Sequence, residues 1–428
     1  MKQIILNILT IGLVSVLFAQ APRPADPQSS PLMITNVTIH VGNGEIIENG
    51  YVTFDKGKLT YVGKEQPSDA VNYAKVDGEG KHVYPGLIMP ATRLGLEEIA
   101  SVRATRDYQE VGSITPHVRS QIAFNTDSEI LPTYRFSGIL TAQVTPFGGF
   151  VSGTSSIMML DGWNWEDATY QKDDAIHVSW PSKTYGPRWW RGETERRPNE
   201  DYDEQVQSIL GLFDEAKAYL AGDNQPVNLK LEAMRGVMNG SQKVFVYADN
   251  ATAIVESINS LKAKGITELV LVGGQDAYYV SDLLVDNNIP LVLENIHRMP
   301  SREEEPVDWP FQLPGLLTNA GVQVSLYHSG MIARGRNLPY YAGTAAAYGM
   351  DKEEALKMVT SNTAKILGVD DRMGTLEVGK DATLLLVEGD LLDMRSSIIL
   401  KAFIQGRDVI LEGKQQVLYE RFMEKYSK

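Results

Sequence analysis

Val244-Phe245-Val246-Tyr247, Leu269-Val270-Leu271-Val272 and Ile289-Pro290-Leu291-Val292-Leu293 are three short apolar runs separated by helical patterns. The first gap carries a helical pattern from about Ala251 to Lys264. The second, after Gly273-Gly274, carries one over Ala277 to Asn287. Apolar strands alternating with helices of this length read as βαβ units, because a parallel return needs a crossover that then covers the sheet face. Val322-Gln323-Val324-Ser325-Leu326 extends the series as a fourth strand. Upstream, Asp201 to Leu220 sets Val206, Ile209, Leu210, Leu212 and Phe213 on one helical face. Downstream, helical pattern returns at Lys352 to Thr360 and Ala364 to Leu367.

Both flanks of this α/β middle switch to short β-type runs broken by turns. Residues 32–86 contain Leu32 to Ile39, Tyr51 to Phe54 and Leu59 to Val62, with turns at Gly42-Asn43-Gly44 and Asp55-Lys56-Gly57. After Gly374, Ala382 to Val387 and Ile398 to Ile404 read as strands, with Gly389-Asp390 and Gln405-Gly406 as turns. A β unit at each end predicts that the two ends meet in one small domain. The 428 residues suffice for that domain plus one large one. Hydrophobic residues at 43% and charged residues at 22% exclude a disordered or fibrous chain. The net charge of −14 speaks against a nucleic-acid partner, whose phosphates attract cations. The absence of cysteine excludes disulfides, a thiol nucleophile and a lipid-modified cysteine.

Met1-Lys2 followed by the nearly unbroken apolar run Ile4 to Ala19, with small residues at Ala19-Gln20-Ala21, reads as a signal peptide over residues 1–21. The protein is therefore expected to be exported, periplasmic or extracellular, with no membrane span once the signal is removed. Residues 22–31, rich in Pro, Ser, Gln and Asp, read as a disordered leader.

His82-Val83-Tyr84-Pro85-Gly86-Leu87-Ile88 resembles the strand that enters the barrel of the amidohydrolase superfamily. The stretch from Ala355 to Gly368 is similar to that superfamily's segment before its final strands. Gly374-Thr375-Leu376-Glu377-Val378-Gly379-Lys380-Asp381-Ala382 is similar to its return into the β domain. In order and spacing these segments resemble the imidazolonepropionase-like branch of metal-dependent hydrolases. The resemblance implies an α/β fold: a (β/α)8 TIM-like barrel over 87–373, flanked by a β-sandwich built from 32–86 and 374–420. It implies hydrolysis of carbon–nitrogen bonds by a divalent metal, such as Zn, held at the carboxyl ends of the barrel strands.

The expected ligands are missing. Aligned to the family's His-x-His pair, Ala91 and Arg93 offer no donor atom and a permanent cation. The later His-Ala position reads Tyr247-Ala248, the next falls at Gly273-Gly274, and His328 stands where the catalytic Asp is expected. Losses on several strands at once remove a site as a unit, so no metal cofactor is expected. His328 and Arg93 are the candidate catalytic groups, Arg93 as a binder of carboxylates. Tyr247, His297 and Glu294 are candidates for substrate contact, and His297, His328 and Glu294 together are the only residual metal site the sequence suggests. His177, ahead of Ser179-Trp180, reads as a surface or supporting residue, and Ser155 and Ser156 lack an evident base.

Three functions are open, two of them on the family's own site. One is an exported non-catalytic homologue that binds a small molecule or peptide, or partners a related amidohydrolase in a homo- or hetero-oligomer. The other is an active hydrolase on amide, cyclic amide or peptide bonds with an altered or residual metal site. Trp163, Trp165, Trp180, Trp189 and Trp190 suggest a carbohydrate- or peptide-binding surface as a third. Pro181 to Asn199 reads as an excursion over the barrel mouth or an oligomer contact.

Overall fold

The computed structural model describes residues 23–427 except 69, 224 and 301. The signal-peptide reading of 1–21 lies outside the described residues. Among those described, no helix is long and apolar enough to cross a membrane.

The N-terminal β runs form β1 (Leu32–His40), β2 (Ile46–Asp55), β3 (Lys58–Gly63), β4 (Ala74–Asp77) and β5 (His82–Pro85). The α/β region then contributes β6 (Leu87–Thr92), β7 (Ile139–Val144), β8 (Val151–Thr154), β9 (Ser156–Met159), β10 (Thr169–Gln171), β11 (Ala175–Ser179), β12 (Thr184–Tyr185), β13 (Arg197–Pro198), β14 (Lys243–Ala248), β15 (Leu269–Gly273), β16 (Leu291–Glu294) and β17 (Val324–Tyr327). β18 (Leu384–Glu388), β19 (Ile398–Ile404) and β20 (Arg407–Asp408) close the series.

β11, β14, β15, β16 and β17 run parallel in sequence order, with Ser179 opposite Tyr247 and Glu294 opposite Tyr327. Every residue of β15 is buried, as a strand covered on both faces requires. Helix α1 (Tyr202–Ala221) buries Ile209, Leu212, Phe213 and Ala216. Helix α2 (Ala251–Ala263) starts where Asn250 Oδ1 accepts from the Ala253 N–H at 2.9 Å, and buries Ile254, Ile258 and Leu261 on one face. The expected helix over 277–287 is a 3-10 turn at Ala277–Val280 followed by α3 (Ser281–Asp286).

A second sheet holds β6 and β7 in parallel, with β9 and β10 antiparallel beside them. The two sheets adjoin at Ser155, which links β8 of the first to β9 of the second. On the opposite side Leu326 N–H donates to Met358 O at 3.2 Å, and Ile88 N–H donates to Val359 O at 3.0 Å, so the turn at residues 358–360 lies between β17 and β6. The α/β plan is the one expected. A closed ladder of eight parallel strands is not what the described residues form, because residues 151–159 enter both sheets antiparallel to their neighbours.

The two ends of the chain share one sheet, ordered β20-β19-β18-β5-β1-β2-β3, with β4 added on β1. It is one hydrogen-bonded sheet curled over its own core, where a two-layer sandwich was expected. Phe54 of β2 meets Phe403 of β19 with ring centroids 5.0 Å apart, although several strands separate them in the ladder. Ala382 N–H donates to Gly57 O at 2.8 Å where the rolled edges come together.

Residues 23–31, expected as a disordered leader, are held against both regions. The Ala25 N–H donates to Asp161 Oδ2 at 3.1 Å, and Gln28 Oε1 accepts from the Gly57 N–H at 2.9 Å. The buried Asp161 carboxylate also pairs with Arg135 at 3.3 Å and Arg407 at 2.7 Å. Among the helices that escaped the periodicity reading, the longest are α4 (Trp309–Asn319), with Pro314 inside it, α5 (Leu338–Ala347) and α6 (Lys414–Tyr426), which buries no residue. Asp161→Asn strips the counter-charge from two largely buried guanidinium groups. It should lower the unfolding free energy by about 3 kcal/mol. Denaturant unfolding checks this, and an unchanged midpoint would mean that the cluster is not what pins the strap.

Candidate functional site

A cavity of ≈ 950 Å³ opens at the carboxyl end of the parallel strands. Its floor includes Thr92, Ser179, Ala248, Gly273, Glu294 and Tyr327, the last residues of β6, β11, β14, β15, β16 and β17. Strand ends present backbone and side chains to one shared space, which is why α/β sheets bind ligands there. The Pro181–Asn199 excursion supplies part of the wall through Ser182, Lys183, Thr184 and Arg196, with β12 and β13 forming a short hairpin.

Each position expected to hold a metal ligand is committed to another interaction. Ala91 adopts φ +50°, a left-handed conformation unusual for a residue with a Cβ, and its N–H donates to Gln143 Oε1 at 3.0 Å. The Arg93 guanidinium pairs with the buried Glu97 at 3.2 Å and donates to Gly330 O at 2.6 Å. It also lies over the rings of Tyr108, at 4.8 Å, and Phe147, at 5.4 Å. The Tyr247 hydroxyl is 3.0 Å from His177 Nδ1, and burial raises its pKa, followed by Asp174 and Glu294. Gly274 has φ +68°, and a Cβ there would fall 2.5 Å from Leu291 Cδ1, so a ligand side chain would have to displace Leu291.

His328 lines the cavity. Its Nδ1 is 2.6 Å from the Tyr341 hydroxyl, and its Nε2 is buried with no hydrogen-bond partner. Burial pushes this imidazole down to about 4, so it is neutral at pH 7. His297 is not among the cavity-lining residues. Its Nε2 bonds Thr344 Oγ1 at 2.7 Å, and Tyr341 packs against both His297 and His328. The structure therefore gathers Arg93, Tyr247, Glu294 and His328 at the mouth and leaves His297 outside. Among the described residues no group of three or more His, Cys, Asp or Glu could hold a metal ion. This donor set does not fit a divalent cation, which needs several imidazole or carboxylate ligands converging on one point.

Sequence reading missed Asp249, two residues beyond Tyr247. Asp249 is exposed to the cavity, yet its carboxyl is pushed up to about 6, first by partial loss of hydration and then by the charge of Glu294. Glu294 itself accepts a hydrogen bond from Ser329 Oγ. It also missed the buried group of Ser155, Asp174 and His177. Ser155 Oγ lies 2.8 Å from His177 Nε2 and 2.7 Å from Asp174 Oδ1. The carboxylate meets the hydroxyl, where a nucleophilic triad needs it on the imidazole, and Ser155 is fully buried. A polar residue inside the run Ala175-Ile176-His177-Val178 was the available signal, since a buried strand admits one only with partners. Trp163 is exposed, and Trp180 is buried and lines the cavity.

The model of the amidohydrolase family matches residues 300–411. An imidazolonepropionase from Thermoplasma volcanium is 24% identical over 391 residues, covering 81% of this chain and 85% of that protein. Among solved structures, an amidohydrolase from Thermotoga maritima superposes with a TM-score of 0.77 at 23% identity, over 89% of this chain and 99% of the other. A Xaa-Pro dipeptidase with methionine bound in its active site gives a TM-score of 0.54 at 14% identity, over 89% and 99%. The chain is thus similar to the amidohydrolase family over residues 300–411 and, along most of its length, to an imidazolonepropionase.

The carboxyl of Asp249 binds its proton more tightly in the folded protein than at the ordinary 3.8. Its contribution to stability is therefore lost as pH rises through about 6. Asp249→Asn should raise the melting temperature relative to the parent above that pH, and the gain should shrink toward zero as pH falls to the ordinary carboxylate range. A gain independent of pH would show that hydration and charge at this carboxyl are not its source.

Proposed function

We propose that this protein is an amidohydrolase-fold binding protein that takes a small molecule into the strand-end cavity without metal-dependent hydrolysis. The observation that carries this reading is the commitment of the expected ligand positions Ala91, Arg93, Tyr247 and Gly274 to structural contacts, with Arg93 neutralised by Glu97. An imidazole lost from one position leaves a vacancy that a neighbour could fill. Here the vacancies are filled by a salt bridge, a buried phenol and a glycine packed against Leu291. The cavity keeps the volume and the mixture of polar and aromatic walls typical of a small-molecule site.

In this reading residues 1–21 are a signal peptide and the protein works outside the cytoplasm. Residues 87–373 form one barrel-type domain, and both chain ends build the other. A related active amidohydrolase, or a second copy of this chain, is the partner to seek.

A second reading rests on Asp249 and Glu294. Two interacting carboxyl groups at the mouth, one titrating near neutrality, are suited to general acid–base work. Hydrolysis of a carbon–nitrogen bond, the reaction class of the family, then proceeds at an altered site, with any metal supplied by ligands from elsewhere. Metal analysis of the purified chain, combined with chelation, separates the two. We expect zinc and manganese far below one equivalent and a melting temperature unmoved by EDTA. Stoichiometric metal removable only with loss of stability would overturn the binding reading, and so would chelator-insensitive turnover of a dipeptide or cyclic amide.

A further inference from the structure

Four side chains, the middle two fully buried, link the cavity to the opposite end of the strands. Asp174 immediately precedes β11 and is partly accessible there, and His177 lies within β11. Tyr247 pairs with Ser179 one layer higher and lines the cavity. The Tyr247 hydroxyl is 3.0 Å from His177 Nδ1, His177 Nε2 is 2.8 Å from Ser155 Oγ, and Ser155 Oγ is 2.7 Å from Asp174 Oδ1. His177 and Ser155 are fully buried, so each hydrogen bond has only protein to answer it.

The protons in this chain can be assigned from its ends. Gln143 Oε1 accepts from the Ala91 N–H, which turns Gln143 Nε2 toward Asp174 Oδ2 at 2.7 Å. An ionised Asp174 only accepts, so Ser155 donates to its Oδ1. Ser155 then has no hydrogen left for His177, and the imidazole must carry its proton on Nε2 and donate it to Ser155. His177 Nδ1 is left as an acceptor, so the Tyr247 O–H points inward to it. The hydroxyl oxygen thus faces the cavity with lone pairs alone.

We propose that Tyr247, His177, Ser155 and Asp174 form a proton relay that makes the Tyr247 oxygen an acceptor for an N–H or O–H of the bound molecule and carries that proton away to Asp174. The transfer balances. The ligand's X–H bond breaks and its proton joins the Tyr247 oxygen. The original Tyr247 proton moves to Nδ1, the Nε2 proton moves to Ser155 Oγ, and the Ser155 proton moves to Asp174 Oδ1. Only the ligand and Asp174 change charge, and His177 changes tautomer. Burial pushes His177 down to about 3, which keeps it neutral throughout. Asp174 is pushed up to about 6 by burial, against the hydrogen bonds of Ser155 and Gln143 and the nearby charge of Lys243. It therefore receives a proton far more readily than an ordinary carboxylate. The other charged group facing Tyr247 is Glu294. With Glu294 and Asp249 also on the wall, the ligand class this mouth suits is a small molecule presenting N–H donors, such as an amide, imide or amidine.

The inference rests on the mouth being a ligand site, but its test needs no ligand, so the two can fail separately. Nitrogen NMR of the full chain labelled with 15N-histidine reports the His177 tautomer directly. Above about pH 7 the proton should sit on Nε2 with Nδ1 bare, and below about pH 5 a protonated Asp174 should reverse every donor and move it to Nδ1. In Ser155→Ala the tautomer should no longer respond to pH. In Tyr247→Phe, Nδ1 should lose its donor and shift toward the resonance of a free imidazole nitrogen. A proton on Nδ1 at high pH, a tautomer indifferent to pH in the parent, an unaltered response in Ser155→Ala, or an unmoved Nδ1 in Tyr247→Phe would each overturn the relay.

Discussion

A hydrogen-bonding group removed from water must find a partner inside the protein, and this constraint shapes the buried space beside β7, β11 and β14. Hydrocarbon side chains ordinarily fill the inside of a closed barrel. Here Gln143, Ser155, Asp174, His177 and Tyr247 satisfy one another in an unbroken series. The series reaches the backbone of Ala91, where the left-handed conformation is held by the Gln143 carbonyl. The backbone at the end of the first α/β strand and the buried polar interior are therefore parts of one arrangement.

The same logic governs the mouth. A guanidinium at the end of β6 is a charge with reduced access to water, and it persists because Glu97, the Gly330 carbonyl and two aromatic faces surround it. Metal-dependent members of the superfamily concentrate positive charge at this end of the strands in an ion. This chain carries a compensated arginine there and leaves Asp249 and Glu294 interacting across the cavity. Partial loss of hydration and the charge of Glu294 together raise the Asp249 carboxyl. The local electrostatics thus suit N–H donors more than carboxylates, opposite to the role that an arginine at this position suggests in isolation.

Away from the mouth, Asp161 joins the strap at Ala25, Arg135 of the α/β region and Arg407 of β20. One carboxylate thus couples the start of the described chain to both of its main regions. A segment of low hydrophobicity, unable to order itself through burial, is ordered by charge-assisted hydrogen bonds made by others.

Periodicity alone determined that the middle of the chain is βαβ and that both flanks are β-structured, because burial on two faces forces continuous apolar strands and one-sided burial forces helical spacing. The resemblance to the superfamily's first barrel strand, and not periodicity, singled out Ala91 and Arg93 as positions where ligands were expected. Local pattern does not specify which strand ends converge. It did not reveal that Asp249 faces Glu294, that Tyr341 stands between His297 and His328, or that Ser155 completes a chain with a carboxylate and an imidazole some twenty residues on. Nor did it separate one rolled sheet from two layers, a matter of how the Phe54 and Phe403 edges close. Those features depend on distances between residues remote in sequence, which only the packing of the strands decided.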